Sequence, residues 1–88
     1  MTTLHMLSHP QAWPMAQAAW QDGDSLLLTA AAVTLALTTD TLPPATVALA
    51  DAVAGRGLSA RWPAGIPCID AAAWVALAAS HDRCVSWS

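Results

Sequence analysis

Residues 24–37 read DSLLLTAAAVTLAL, and this stretch decides the predicted fold class. The preceding residues 21–23, Gln-Asp-Gly, are typical of a turn. The short apolar run from Ser25 to Leu28 then predicts a strand that is buried on both faces, as strands of parallel sheets are. Because alanine-rich residues 30–37 follow at once, we expect a helical crossover and read the stretch as one short βα unit.

The rest of the chain repeats this alternation of strand and helix patterns. Further strands are predicted at residues 2–8, 45–50, 66–70 and 85–87, and further helices at residues 10–20, 52–56 and 71–81. We expect Asp51 and Asp70 to cap the last two helices and Gly57 to end one in the left-handed conformation. The pattern predicts a small three-layer α/β/α domain over residues 1–88, with a four- to five-stranded, mainly parallel sheet and residues 25–29 well inside it.

The composition is unusually apolar for a chain of 88 residues, since 56% of residues are hydrophobic and only 10% are charged. So small a chain cannot bury all of this apolar surface, and large exposed apolar patches usually mark a partner. A general enrichment in alanine is the alternative explanation. The net charge of −3, with three arginines and no lysine, argues against direct binding of nucleic acid.

Membrane insertion and export are not expected from the sequence. The longest uncharged apolar stretch covers residues 25–39, which is shorter than the roughly 20 residues that a bilayer requires. No basic segment precedes an apolar core near the first residue, so no secretory signal is visible. The two cysteines are therefore expected to be reduced thiols in the cytoplasm.

The last predicted helix carries no charge on any side, and a helix that is apolar all round is expected to be buried all round. Trp74 and Leu77 lie on one face, which we expect to pack on the sheet. The other face is expected to contact another chain through small residues: Ala72, Val75, Ala76 and Ala79.

Several short motifs, taken in order, resemble the DsrH/TusB family of sulfur-relay subunits. None is diagnostic alone, but together they span nearly the whole chain. They are Leu4-His5-Met6-Leu7 with Ser8-His9-Pro10, Asp22-Gly23-Asp24 before Leu26-Leu27-Leu28, Asp51 with Arg56-Gly57-Leu58, Ile69-Asp70, His81-Asp82 and Val85-Ser86-Trp87.

The resemblance implies a DsrE/DsrF/DsrH-like domain that joins TusC-like and TusD-like subunits in a heterohexamer. Such a complex relays persulfide sulfur, either toward 2-thiouridine at the tRNA wobble uridine or for sulfur oxidation. The family's principal sulfur-carrying cysteine lies in the TusD-like subunit. Some DsrH members have a cysteine in the first helix, but the matching place here, near Ala16, has none. The resemblance thus implies a non-catalytic subunit without a cofactor.

The candidate site residues are few. Cys84 is the better thiol, because nearby Arg83 or a protonated His81 would favour its thiolate. Cys68 lies in a short apolar predicted strand, in which Pro67 favours an edge or a strand start, and it is expected to be buried. His5 is expected to be a hydrogen-bonded core or interface histidine. A metal site of His81 and Cys84 with His5 or His9 has too few paired ligands to be expected.

We expect no independent catalytic activity, because the chain has no hydrolase pattern and no glycine-rich phosphate loop. Two alternatives stay open. The first is a small thiol protein that carries sulfur on Cys84, and the second is a stand-alone homo-oligomeric DsrH-like protein.

Overall fold

Within residues 1–39 and 41–87, which the computed structural model describes, the chain forms five strands. They are β1 (Thr3–Leu7), β2 (Ser25–Leu28), β3 (Thr46–Leu49), β4 (Cys68–Ile69) and β5 (Arg83–Trp87). They form one sheet in the order β4-β3-β2-β1-β5, and every neighbouring pair is parallel. The predicted α/β class and the central place of β2 are confirmed.

Helical segments connect the strands. The described part of the chain has four α-helices: α1 (Trp13–Ala18), α2 (Leu35–Thr38), α3 (Ala50–Gly55) and α4 (Ala71–Ala79). Short 3-10 helices lie at Pro10–Ala12, Ala30–Thr34 and Ser59–Arg61. No helix among residues 1–39 and 41–87 combines the length and apolarity that crossing a bilayer requires.

The strand β2 is central because its side chains are apolar on both sides. Leu26, Leu27 and Leu28 have no exposed surface. The turn before β2 depends on Gly23, which has φ +90, a conformation that side-chain-bearing residues rarely adopt. An added Cβ there would also lie only 3.0 Å from Cγ2 of Thr2. The glycine therefore lets this turn pass close to the start of β1.

The two faces of the sheet are covered differently. On one face, Leu7, Leu26, Leu28 and Ala48 pack with the helical segments between β1 and β4 into the main core. On the opposite face, α4 begins after β4 and leads into β5, and it is tied to β2 where His81 Nε2 lies 2.9 Å from Ser25 Oγ. Helices on both faces give the three layers that the sequence predicted.

The helix ends agree only in part with the sequence. Asp70 caps α4 as predicted, since its Oδ1 accepts a hydrogen bond from the Ala73 N–H at 2.8 Å. Gly57 follows α3 with φ +67, which is also as predicted. The capping role predicted for Asp51 is wrong, because α3 begins at Ala50 and Asp51 lies within its first turn. A carboxylate there still favours the positive end of the helix dipole.

None of the residues of α4 is buried in the chain alone, so the all-round burial expected for this helix requires another chain and stays a prediction. The division of its faces follows the prediction. Trp74 and Leu77 are half-buried, whereas the predicted partner face is exposed, with Val75 at 67%. An uncharged apolar helix therefore lies on the outside of this chain.

The prediction that Cys68 is buried is wrong, and its thiol is exposed. The predicted strand at residues 66–70 is reduced to the two residues of β4, at the edge of the sheet. Pro67 precedes it and bonds to β3 only through its carbonyl oxygen, which accepts from the Ala48 N–H at 3.0 Å. The apolar residues of this run predicted a buried thiol, but one side of an edge strand has no neighbour, and the edge position is the one that Pro67 favours.

Candidate functional site

A buried pair of ionisable side chains, His5 and Asp24, lies at the centre of the sheet. His5 is in the middle of β1, and Asp24 is the last residue of the turn before β2. His5 Nε2 and Asp24 Oδ2 are 2.8 Å apart, and each side chain is only 2% exposed. The pairing of β1 with β2 brings the two residues together across 19 positions of sequence.

The second ring nitrogen of His5 is also occupied. The Trp87 indole donates its Nε1–H to His5 Nδ1, with the two nitrogens 3.0 Å apart. An indole N–H can only donate, so Nδ1 accepts and the ring proton lies on Nε2. His5 therefore donates to the Asp24 carboxylate, and a chain of hydrogen bonds runs from β5 through β1 to the turn before β2.

The Asp24 carboxylate accepts three hydrogen bonds. Besides the bond from His5, the Thr3 N–H donates to Oδ1 and the Gln21 N–H donates to Oδ2, each at 2.9 Å. Burial alone would raise the pKa of Asp24, but these hydrogen bonds and the nearby His5 outweigh it and lower the pKa below its ordinary value of 3.8. Backbone and imidazole N–H donors therefore take the place of water around the charged carboxylate.

Tryptophans enclose the His5 ring. Trp20 stacks on it with ring centroids 5.0 Å apart, and the ring of Trp87 lies at 6.1 Å. Trp13 contacts Trp20 edge to face at 5.9 Å. This aromatic enclosure keeps water from the His5–Asp24 pair.

A histidine oriented by a carboxylate can act as a general base, but His5 lacks the geometry for that role. The nitrogen that would have to accept a proton already accepts from Trp87. The ring itself is 2% exposed, so a substrate cannot reach it. The prediction of a hydrogen-bonded core histidine is confirmed, and the pair serves the fold.

Cys84, the predicted candidate thiol, is exposed on β5. Its Sγ lies 4.0 Å from the carbonyl oxygen of Ala78 at the end of α4. The two cations expected to favour its thiolate point elsewhere. Arg83, on the alternate face of β5, donates from Nε to Thr3 Oγ1 at 2.9 Å.

His81 is engaged by both ring nitrogens. Nδ1 lies 2.8 Å from the Leu77 carbonyl oxygen, and Nε2 lies 2.9 Å from Ser25 Oγ. Neither bond is directed at Cys84. His81, Arg83 and Cys84 are close in sequence, but the structure does not direct the two basic groups at the thiol.

The residues considered for a metal site do not converge. His5 lies on the sheet face opposite Cys84, while His9 is at the surface, with its Nδ1 accepting from the Gln11 N–H at 3.2 Å. Among residues 1–39 and 41–87, no group of three or more potential ligands is close enough to hold a metal ion.

A groove of about 500 Å³ lies beside the end of α2. Many of its lining side chains are aliphatic or proline, among them Leu37, Leu42, Pro43, Pro63 and Ile66. Threonine hydroxyls are its polar side-chain groups in the described part of the chain. Among residues 1–39 and 41–87, its lining includes no acidic or basic side chain.

A comparison with protein families supplies the identity that this geometry leaves open. The family described as DsrH-like protein matches residues 11–84, which is most of the chain. The chain belongs to the DsrH family. Membership gives it a general role as a sulfur-relay subunit that acts within a complex. A search of curated proteins finds no match.

The matched range covers Asp24 but neither His5 nor Trp87. It ends at Cys84 and begins after His5, so this DsrH-like chain carries its His5–Trp87 hydrogen bond outside the matched residues. Sequence reasoning identified His5 and the motif containing Trp87 separately but missed their contact and the role of Asp24. A histidine in the middle of an apolar strand was the available signal, because a buried imidazole requires partners.

We predict that Asp24→Asn lowers stability at neutral pH. An amide offers one acceptor oxygen in place of two, so at least one of three buried N–H groups loses its partner, at about 1–3 kcal/mol each. Because the folded pKa of Asp24 is lowered, its contribution is present above the unfolded pKa and is lost as pH falls through the folded value.

Denaturant unfolding at several pH values tests this prediction. The difference between wild type and Asp24→Asn should shrink as the solution becomes acidic. Asp22→Asn is the matched control, since Asp22 lies in the same turn but is exposed. An equal loss in both variants would contradict a specific role for the buried carboxylate.

Proposed function

We propose that this DsrH-family chain is a non-catalytic subunit of a sulfur-relay complex. In this proposal residues 1–88 act as one domain in the cytoplasm and position a thiol that another subunit provides. The family match over residues 11–84 carries the proposal. The arrangement around the chain's own thiols supports it, because no basic side chain is bonded toward Cys84 among the described residues.

The chemistry explains why such support matters. In persulfide relay an acceptor thiolate attacks the outer sulfur of a donor persulfide. A new S–S bond forms to that sulfur while the donor's S–S bond breaks, and the donor leaves as a thiolate. One persulfide is consumed and one is made, so no oxidant is needed. The step requires a thiolate at the acceptor.

The first helix supplies a second argument. The position where some DsrH members have a cysteine corresponds to the region of Ala16, which lies on the buried side of α1 and is fully buried in the core. Alanine here fills space rather than presenting a reactive group. We therefore assign the sulfur-carrying thiol to a TusD-like partner, with a TusC-like subunit completing the complex.

In this proposal the relayed sulfur serves either 2-thiolation of the tRNA wobble uridine or sulfur oxidation. The chain's net charge of −3 and three arginines suit neither a phosphate-binding surface nor direct tRNA contact. In the first case, tRNA would therefore be bound elsewhere in the pathway.

The alternative function is sulfur transfer by Cys84 itself, and the exposure of its thiol on β5 favours it. Cys68 provides an internal comparison, because it is equally classed as exposed but lies on the other edge strand. A dedicated carrier should be loaded at one site, whereas nonspecific reaction should load both.

We predict that neither thiol acts as a selective carrier. The isolated chain is incubated with a persulfide donor, and intact mass is measured for wild type, Cys84→Ser and Cys68→Ser. Any gain of one sulfur atom should fall similarly in both variants, because both thiols are exposed. Loading of Cys84 alone, followed by loss to the acceptor, would establish the alternative.

The exposed face of α4 is our candidate contact with another subunit. Its alanines permit close approach, and Val75 adds an apolar side chain that is 67% exposed. A charge introduced into this contact would be stranded between apolar surfaces, at several kcal/mol unless the contact opens. In the chain alone the same charge would meet water.

We therefore predict that Ala76→Asp weakens assembly without a comparable loss of stability. Size-exclusion chromatography with light scattering is performed at matched concentration, alone and with TusC-like and TusD-like subunits. Ala54→Asp is the control, because it places the same charge at an exposed alanine of α3. If Ala76→Asp joins the complex normally, the α4 face is not the contact. A wild type that stays monomeric alone would exclude the stand-alone homo-oligomer.

A further inference from the structure

The outer edge of β5 has backbone groups that no described strand pairs. Toward β1, the Arg83 N–H donates to the Thr2 carbonyl at 3.3 Å, and the Trp87 carbonyl accepts from the Ser8 N–H at 3.1 Å. Backbone groups of successive strand residues point to alternate sides. The N–H and C=O groups of Cys84 and Ser86 therefore point outward, away from the sheet.

This edge lacks the devices that usually prevent strand pairing. Proteins protect edges with proline, lysine, bulges or covering segments. Residues 83–87 contain no proline or lysine, and their register with β1 is regular over all five residues. The one charged group, Arg83, has its Nε bonded back to Thr3 on the same sheet. Arg83, Cys84 and Ser86 are all exposed.

The edge is also complementary to itself. An antiparallel pair with its two-fold axis at Val85 sets Cys84 opposite Ser86 of a second copy, and Ser86 opposite Cys84. Each of these two pairs exchanges both backbone hydrogen bonds, so all the outward groups of Cys84 and Ser86 are satisfied. An axis at Cys84 would instead bring Ser86 opposite Asp82, whose N–H is already bonded to Thr2.

The side chains agree with the axis at Val85. On one face of the joined sheet, the two Val85 residues become direct neighbours. On that same face, Arg83 lies opposite the second copy's Trp87, and an arginine beside an indole is a favourable cross-strand pair. On the other face, Cys84 lies beside Ser86, and both are small.

We propose that β5 pairs antiparallel with β5 of a second copy and joins two sheets into one continuous sheet. A two-fold axis makes the contact closed, so it yields a dimer rather than a fibre. The contact uses the edge of β5 and leaves the outer face of α4 available. It does not depend on the sulfur-relay function, since it follows from the strand edge alone.

Cross-linking tests the register. In a Cys68→Ser/Cys84→Ser background, Val85→Cys places one thiol on the axis, at a narrow pair with Cα atoms about 4.5 Å apart. Disulfides form at Cα separations of about 4.4–6.8 Å. Mild oxidation should give a covalent dimer. Ser86→Cys in the same background is the control, because the two Ser86 positions are offset and should not link.

A second variant tests the hydrogen bonds. Ser86→Pro removes an outward N–H from each copy and leaves the inward bonds to β1 in place. Two lost bonds should raise the dimer dissociation constant about tenfold or more. Sedimentation or light scattering measures this constant, with circular dichroism to verify folding. A wild type that is monomeric at high micromolar concentration, or Ser86→Cys linking as fast as Val85→Cys, would overturn the proposal.

Discussion

The hydrogen bonds of the Asp24 carboxylate are the constraint on which the centre of this small sheet depends. A buried ion is costly unless its lone pairs are satisfied, and here three N–H donors from β1 and the turn before β2 satisfy them. His5 extends the chain of bonds to Trp87 and thereby reaches β5. The strands that flank β1 on both sides are thus joined by one polar network, and the loss of any member leaves a buried group without a partner.

The network contains a histidine paired with a carboxylate, as catalytic sites do, but both side chains are buried in the protein interior. The indole N–H on His5 and the stacked tryptophans remove the free lone pair and the access that general-base chemistry requires. The thiols lie instead at the two edges of the sheet, where Cys68 and Cys84 are exposed. In the described part of the chain, His81 and Arg83 are bonded away from Cys84. This DsrH-family chain therefore offers surfaces, namely an uncharged helix and an open strand edge, more readily than it offers an active site.

Local sequence patterns were sufficient to predict the α/β class and the order of strands and helices along the chain. The apolar run of β2 predicted its central position, and Asp70 before an uninterrupted helical pattern predicted the cap of α4. The errors came where neighbours decide the outcome. Cys68 sits in an apolar run and was therefore expected to be buried, yet its strand lies at the edge of the sheet, as Pro67 in the same run indicates. The bond between His5 and Trp87 joins residues 82 positions apart, so no local spacing could indicate it.

The central claim is that the chain supports sulfur relay without carrying sulfur. Its most direct test is a reconstituted relay with TusC-like and TusD-like subunits, in which this chain is replaced by the Cys68→Ser/Cys84→Ser double variant. The rate of sulfur transfer from a persulfide donor to the final acceptor is measured, and light scattering verifies equal assembly. The account predicts a wild-type rate with the double variant and a large loss when the chain is omitted. A loss of transfer by the double variant within an intact complex would contradict it.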